Sequence, residues 1–316
     1  MPYQGGGRKK KYFEGWYYKQ VSEDEKTAVS FIPGISLSQQ DPHCFVQYII
    51  SQEDEAGRKM IKTGYCRYSS EEFQFRDEPF LLRIGNSFFT ETEVHVELSD
   101  AGSSIKAGFR LGPFTSIKRT LFMPNIMGFF AYLPKMECCH GVISMKHQVQ
   151  GSLWIDGRQI DFGKGNGYLE KDWGTSFPER YIWLQCCNFS NDRVSVVFSA
   201  ADIPLYGHTF LGFICNLTID RQEYRFATYN GSRLKLEQVT DREAVLTLTH
   251  RNTALKLEAY ANDPRELVSP IKGQMSGRIK EDPSGILKIC LTDQGGRMIY
   301  EDTRHMAGIE LHGISL

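Results

Sequence analysis

The run GYLEKDWGTSFPERYIWLQ, residues 167–185, crowds Glu170, Asp172, Trp173, Arg180 and Trp183 together. Two other runs are as dense in reactive side chains. YFEGWYYK, residues 12–19, sets Glu14 among Trp16, Tyr17 and other rings, and GFFAYLPKMECCHG, residues 128–141, brings Glu137 close to His140. A β core is ordinarily built of Val, Ile and Leu. Concentrating Trp, Tyr and Phe beside Glu and Asp predicts instead a deep apolar pocket holding a few polar groups. A carboxyl group deprived of water and counter-charge stays protonated near neutral pH and can act as a general acid. Aromatic faces stabilise a nearby cation by roughly 0.5–2 kcal/mol each. Acid and rings together suit protonation of an electron-rich alkene and shelter of the tertiary carbocation that results. On this reading an unpaired carboxyl, Asp172 or Glu14, points into an apolar tunnel. A passive binder of an apolar ligand would show the rings without the protonated acid.

Each residue also has a purely structural reading. Asp172 fits a turn whose side chain bonds local backbone amides. Glu14 could pair with Lys19 or Arg180 across strands, His140 fits a satisfied interior histidine, and Trp16 and Trp183 fit core packing as well as pocket lining.

The elements that must position these side chains read as antiparallel sheet. Helical periodicity is scarce, and short alternating or aromatic-rich runs are broken by Gly, Asn and Asp. Strands are predicted at 43–51, 93–99 and 104–111, with a hairpin over 151–162 turning at Asp156-Gly157. In the second half they arrive about every ten residues: 180–189, 193–201, 210–220, 224–230, 233–239, 244–250 and 254–261. Asn191-Asp192, Asn230-Gly231 and Asn262-Asp263-Pro264 punctuate them. That spacing predicts barrels or sandwiches. Short helices are predicted at 69–77 and 121–130. Pro178 marks a domain junction, so residues 1–177 and 178–316 are expected to form two β domains.

Composition narrows the function. With 37 basic against 38 acidic residues, the formal net charge of −1 argues against nucleic acid as the main partner. The one basic run, Arg8-Lys9-Lys10-Lys11, follows three glycines and reads as a solvated tail, with transient attraction to a membrane surface as the alternative. No apolar run reaches the roughly 18 residues of a membrane span, and residues 3–11 lack the apolar core of a signal peptide. A cytoplasmic chain is expected. The eight cysteines include the vicinal pairs Cys138-Cys139 and Cys186-Cys187, which bridge poorly, and no C-x-x-C pair suggests zinc. GKGNG, residues 163–167, has no following GK[ST] and is not a phosphate loop.

YFEGWYYK (12–19), MECCHGVISMKHQVQGSLWIDG (136–157), GYLEKDWGTSFPERYIWLQCC (167–187) and AGIELHG (307–313) resemble the landmarks of the tocopherol cyclase family, in that family's order. The resemblance implies two tandem lipocalin-like antiparallel β-barrels and a relation to carotenoid 1,2-hydratases. It implies closure of a prenylated hydroquinone to a chromanol: the prenyl alkene is protonated and the phenol oxygen captures the cation. A hydratase would capture the cation with water instead. Neither reaction needs a metal, nucleotide or redox cofactor, so none is expected. Asp172 and Glu14 lie in matching motifs and are the candidates for acid or acid-supporting roles, with His140 in reserve as acid/base. Trp16, Tyr17, Trp173 and Trp183 would line the cavity, and Gln185 would hold a phenol oxygen. The chain enters its first motif without a plastid-type extension, as a bacterial member would. A non-catalytic carrier of an apolar isoprenoid is the alternative, since fold alone does not fix function.

Overall fold

The computed structural model describes residues 2–7, 10–54, 56–100, 102–133, 136–205 and 207–314. Arg8 and Lys9 of the basic run, and Pro134 and Lys135 of the 128–141 run, lie outside the described residues. The fold is all-β, as the alternation predicts, and lipocalin-like.

The first sheet begins with four long strands: β1 (Phe13–Val21), β2 (Thr27–Ser36), β3 (His43–Glu53) and β4 (Lys59–Ser69). Five shorter strands follow, β5 (Phe73–Arg76), β6 (Leu81–Ile84), β7 (Ser87–Thr90), β8 (Glu93–Asp100) and β9 (Ser103–Leu111). β10 (Cys138–Ile155), β11 (Arg158–Asp161) and β12 (Gly165–Gly174) complete it. Their order is β4-β3-β2-β1-β12-β10-β9-β8-β7-β6-β5, with β11 paired to β10. Trp16, Tyr18, Phe31 and Tyr48 from the long strands share one core with Leu82, Phe89, Val96 and Phe109 from the short ones, so the sheet curls around its own inner face. Each fully buried ring stabilises that closure by roughly 1.5–3 kcal/mol.

A second sheet holds β13 (Tyr181–Cys186), β14 (Val194–Leu205), β15 (His208–Ile219), β16 (Gln222–Ala227) and β17 (Arg233–Val239). With them run β18 (Glu243–His250), β19 (Thr253–Tyr260), β20 (Arg265–Ile271), β21 (Gln274–Asp293) and β22 (Met298–His312). The order is β16-β15-β14-β13-β22-β21-β19-β18-β17, with β20 on β21. Its own core gathers Leu184, Phe198, Leu217, Leu246, Leu257 and Ile289.

The chain divides between Phe177 and Pro178, and two segments depart from a simple split there. Residues 117–137 belong to the second unit and 267–278 to the first. Lys118 N–H donates to Glu223 and Tyr229 Oη to the Ile126 carbonyl, which ties the first of these segments down. The second is a hairpin tip, turning at Lys272 and Gly273 with φ of 51° and 81°. Ser36 Oγ donates to the Gly273 carbonyl at 2.7 Å, and Val268 N–H donates to Gln47 Oε1 at 2.7 Å. The tip thereby covers the outer face of β2 and β3.

The hairpin predicted over 151–162 forms, with Ile155 opposite Arg158 and Asp156 and Gly157 both at positive φ. The two predicted helices do not. Ser70–Glu72 is a single 3₁₀ turn leading into β5, and Gly128–Tyr132 is another. Alternation in FQFR favours a strand over the end of the first, and Pro124 disfavours continuous helix in the second.

Candidate active site

Strand alternation sorts the candidate residues into two groups on opposite faces of one ribbon. β12 lies between β1 and β10, and its register with β1 is unbroken. Glu14 stands opposite Trp173, Trp16 opposite Lys171, Gly15 opposite Asp172 and Tyr17 opposite Glu170. Directly opposed residues share a face and successive residues alternate. Glu14, Trp16, Lys171 and Trp173 therefore point toward the core of the first sheet, whereas Tyr17, Glu170 and Asp172 point away from it. On β10, His140 is opposite Asp172 and Val142 opposite Glu170, so His140 joins the second group.

The inward group is built on an ion pair. Lys171 Nζ donates to Glu14 Oε1 at 2.8 Å, and Tyr12 Oη donates to Glu14 Oε2 at 2.5 Å. Glu14 is fully buried and Lys171 nearly so. Burial lowers the pKa of the Lys171 ammonium and the Glu14 carboxylate partly restores it. Its nitrogen also lies 4.5 Å from the Trp173 ring centroid and 5.5 Å from that of Trp16. Glu14 is thus paired with Lys171, rather than with Lys19 or Arg180, and Arg180 pairs with Asp202.

The outward group is an acid–imidazole cluster. His140 Nδ1 is 2.9 Å from Asp172 Oδ1 and its Nε2 is 3.5 Å from Glu170 Oε2. Tyr168 Oη donates to Glu170 at 2.5 Å, and Ser30 Oγ donates to Tyr17 Oη at 2.8 Å. The Glu170 side chain is 5% exposed, His140 14% and Asp172 22%, so the cluster is dry at Glu170 and touches solvent at Asp172. Burial alone would push the His140 pKa down; Glu170 and Asp172 together outweigh it and raise it to about 9. The ring is therefore an imidazolium at neutral pH, with a proton on each nitrogen and its Nδ1–H directed at Asp172. The expected unpaired carboxyl is not what the structure contains: Asp172 bonds His140 just as Glu14 bonds Lys171.

His140, Glu170 and Asp172 offer donor atoms within 4.8 Å of one another, a set that could hold a metal ion. A metal there must displace the imidazolium proton, so it would compete with acid chemistry.

Trp183 and Gln185 lie in the second unit. Both are buried on β13, on the face opposite the Leu184 side of the core, together with Tyr181 and, on β22, Glu310. Tyr181 Oη donates to Glu310. The Gln185 amide is fully buried, and neither its nitrogen nor its oxygen has a hydrogen-bond partner among the described residues. From the sequence, Glu170 is named in its run without a role and Tyr168 and Lys171 are not singled out, although the i, i+2 spacing of Glu170 and Asp172 marks them as same-face neighbours in a strand.

A curled, all-antiparallel lipocalin-like sheet with a half-buried imidazolium held between two carboxyl groups defines a β protein equipped for proton transfer. Residues 89–313 match the profile of the family described as Tocopherol cyclase-like, and the chain belongs to that family. It is similar to the probable chloroplastic tocopherol cyclase of Oryza sativa subsp. japonica, 23% identical over 370 residues, covering 98% of this chain and 77% of the rice protein. It is also 23% identical to the chloroplastic tocopherol cyclase of Zea mays over 245 residues, which span 63% of this chain and 51% of the maize protein. Among solved structures, kievitone hydratase from Nectria haematococca superposes with a TM-score of 0.55 at 9% identity, over 95% of this chain and 88% of that one. At that identity the likeness concerns the fold. No described helix is long and apolar enough to cross a membrane.

Proposed function

We propose that the chain cyclises a prenylated hydroquinone to a chromanol by acid catalysis. The observation that carries this reading is the His140–Asp172–Glu170 cluster, an imidazolium bonded to the half-buried carboxyl group of Asp172 and facing the buried one of Glu170. If all three groups are ionised the cluster holds one excess negative charge, and one further proton makes it neutral. The reacting form we propose is the neutral one, with the additional proton on Asp172 because Glu170 already accepts from Tyr168. Asp172 donates that proton to the less substituted alkene carbon, and the C=C electron pair becomes the new C–H bond. The adjacent imidazolium stabilises the carboxylate left behind. Tyr17, on the same face, offers its ring to the tertiary cation. The phenol oxygen then attacks the cation, and its O–H proton returns to Asp172. No atom is gained or lost.

Trp16 and Trp173 lie on the other face of the ribbon and are not part of this step. Trp183 and Gln185 belong to the second unit and take no part in this step; within that unit, a buried amide that has no partner among the described residues suits a phenol oxygen of a bound quinol.

The test is incubation with a prenylated benzoquinol in heavy water. The expected product is a chromanol isomeric with the substrate and carrying one deuterium on the former alkene carbon. A product heavier by one water identifies a hydratase. Tight binding of unchanged quinol identifies a carrier and overturns the catalytic reading.

A further inference from the structure

On the inward face of β1, residues 2–5 lie across Glu14 as a bound ligand would. The Gln4 N–H donates to both Glu14 oxygens, at 3.1 and 2.9 Å, and Lys171 Nζ donates to the Pro2 carbonyl at 2.6 Å. Between these two contacts the Tyr3 ring sits in a notch formed by Phe73 and Phe75, its centroid 5.2 Å from each. Burial, with Glu14 nearby, pushes the Tyr3 phenol up to about 12. It is a neutral phenol at physiological pH. Gly5, Gly6 and Gly7 follow, the last two exposed and with open space around them. Glycine backbone takes many conformations there without steric cost, so the strap can swing while β1 stays in place.

What lies beneath the strap is poorly explained as structure alone. A buried ion pair contributes little net stability compared with apolar residues of the same size, yet Glu14 and Lys171 are both buried. The fully buried indole N–H of Trp16, beside Lys171, has no acceptor among the described residues. Were the strap to leave, Glu14 would keep Lys171 and Tyr12 and gain an open acceptor position. Lys171 would gain an open donor, and the Phe73–Phe75 notch would be empty. That combination matches an aromatic ring flanked by one carbonyl oxygen and one N–H or O–H.

We propose that Glu14, Lys171 and the Phe73–Phe75 notch form a binding site for phenols bearing an amide or carbonyl group near the ring, and that residues 2–5 occupy it as an intramolecular strap. The site is on the opposite face of the ribbon from the acid cluster, so it stands or falls independently of the cyclase reading. N-acetyl-tyrosinamide presents the same carbonyl, phenol and N–H as residues 2–4 and is the probe. In a chain lacking residues 2–5, tryptophan fluorescence responds saturably to the probe, at least tenfold more tightly than in the full chain. Phe75→Ala and Lys171→Met in that background each weaken the response at least tenfold. Tyr3→Ala in the full chain replaces the deletion if the shortened chain does not fold, with the same gain expected. Binding no tighter than in the full chain, or a response indifferent to both Phe75→Ala and Lys171→Met, overturns the proposal.

Discussion

His140 and Asp172 face each other across paired strands, Nδ1 to Oδ1 at 2.9 Å, and this contact ties the proposed proton donor to a cationic imidazolium. Asp172→Asn keeps the size of the side chain and an oxygen for the His140 N–H, but it has no acidic proton to give. Turnover of a prenylated quinol should fall by about a hundredfold or more, while quinol binding, measured by equilibrium dialysis, stays within a few-fold. Full turnover in the variant removes Asp172 from the proton-transfer step.

The same cluster makes stability depend on pH in a definite direction. His140 titrates at about 9 in the folded chain, above the ordinary 6.5 of an unfolded histidine. A raised pKa means that the folded state holds the proton more tightly. The stabilisation is fully present below pH 6.5 and is lost as pH rises through about 9, on the order of 3 kcal/mol in all. Urea denaturation at pH 6 and pH 9.5 should show that loss, and His140→Gln should reduce it to the background of the other groups. Turnover should decline over the same alkaline range, and a chelator should leave it unchanged. Chelator-sensitive turnover would assign His140, Glu170 and Asp172 to a metal instead.

Much of the architecture is legible in the sequence because it is local. β17 runs over Arg233–Val239 as predicted, and Asp156-Gly157 turns the hairpin between β10 and β11. Turn chemistry and period-2 alternation act over a few residues, and a single sequence carries both. The candidate site is legible only in part. GYLEKDWG already separates Glu170 and Asp172 from Lys171 and Trp173 by alternation, yet it does not say which strands lie alongside. Glu14 meets a lysine 157 residues away because β12 pairs with β1, and that register is long-range. Proximity in sequence suggests one pocket; the pleat makes two faces.

Gln185 offers a test in which stability and function move in opposite directions. Its buried amide has no partner among the described residues, so Gln185→Leu exchanges an unsatisfied polar group for an apolar one of similar size. The variant should be more stable by about 1 kcal/mol, read as a higher denaturation midpoint. If the amide receives a phenol oxygen within the second unit, quinol binding measured by equilibrium dialysis should also weaken severalfold. A stability gain with unchanged binding would leave Gln185 without a part in it.

Gly273 tests whether the hairpin tip keeps the acid face dry. It sits at φ 81°, and a Cβ there would come within 2.3 Å of backbone atoms of Lys11 and Tyr12. Neither the strained φ nor a collision with backbone can be relieved by a rotamer change. Its N–H donates to the Thr175 carbonyl at 2.6 Å and its carbonyl accepts from Ser36, so moving the tip breaks both bonds. Gly273→Ala should therefore cost about 2 kcal/mol or more. Hydrogen exchange should speed up at the amides of residues 267–278 while the amides of β6 to β9 change little. Wetter surroundings weaken the pull of Glu170 and Asp172 on the imidazolium, and they also remove the burial that opposes it. Of these, the paired carboxylates dominate in the intact chain. The His140 titration, followed by NMR, should accordingly move down from about 9 toward the ordinary histidine value. A variant with the hairpin loosened and that titration unmoved would show that the tip does not govern the cluster.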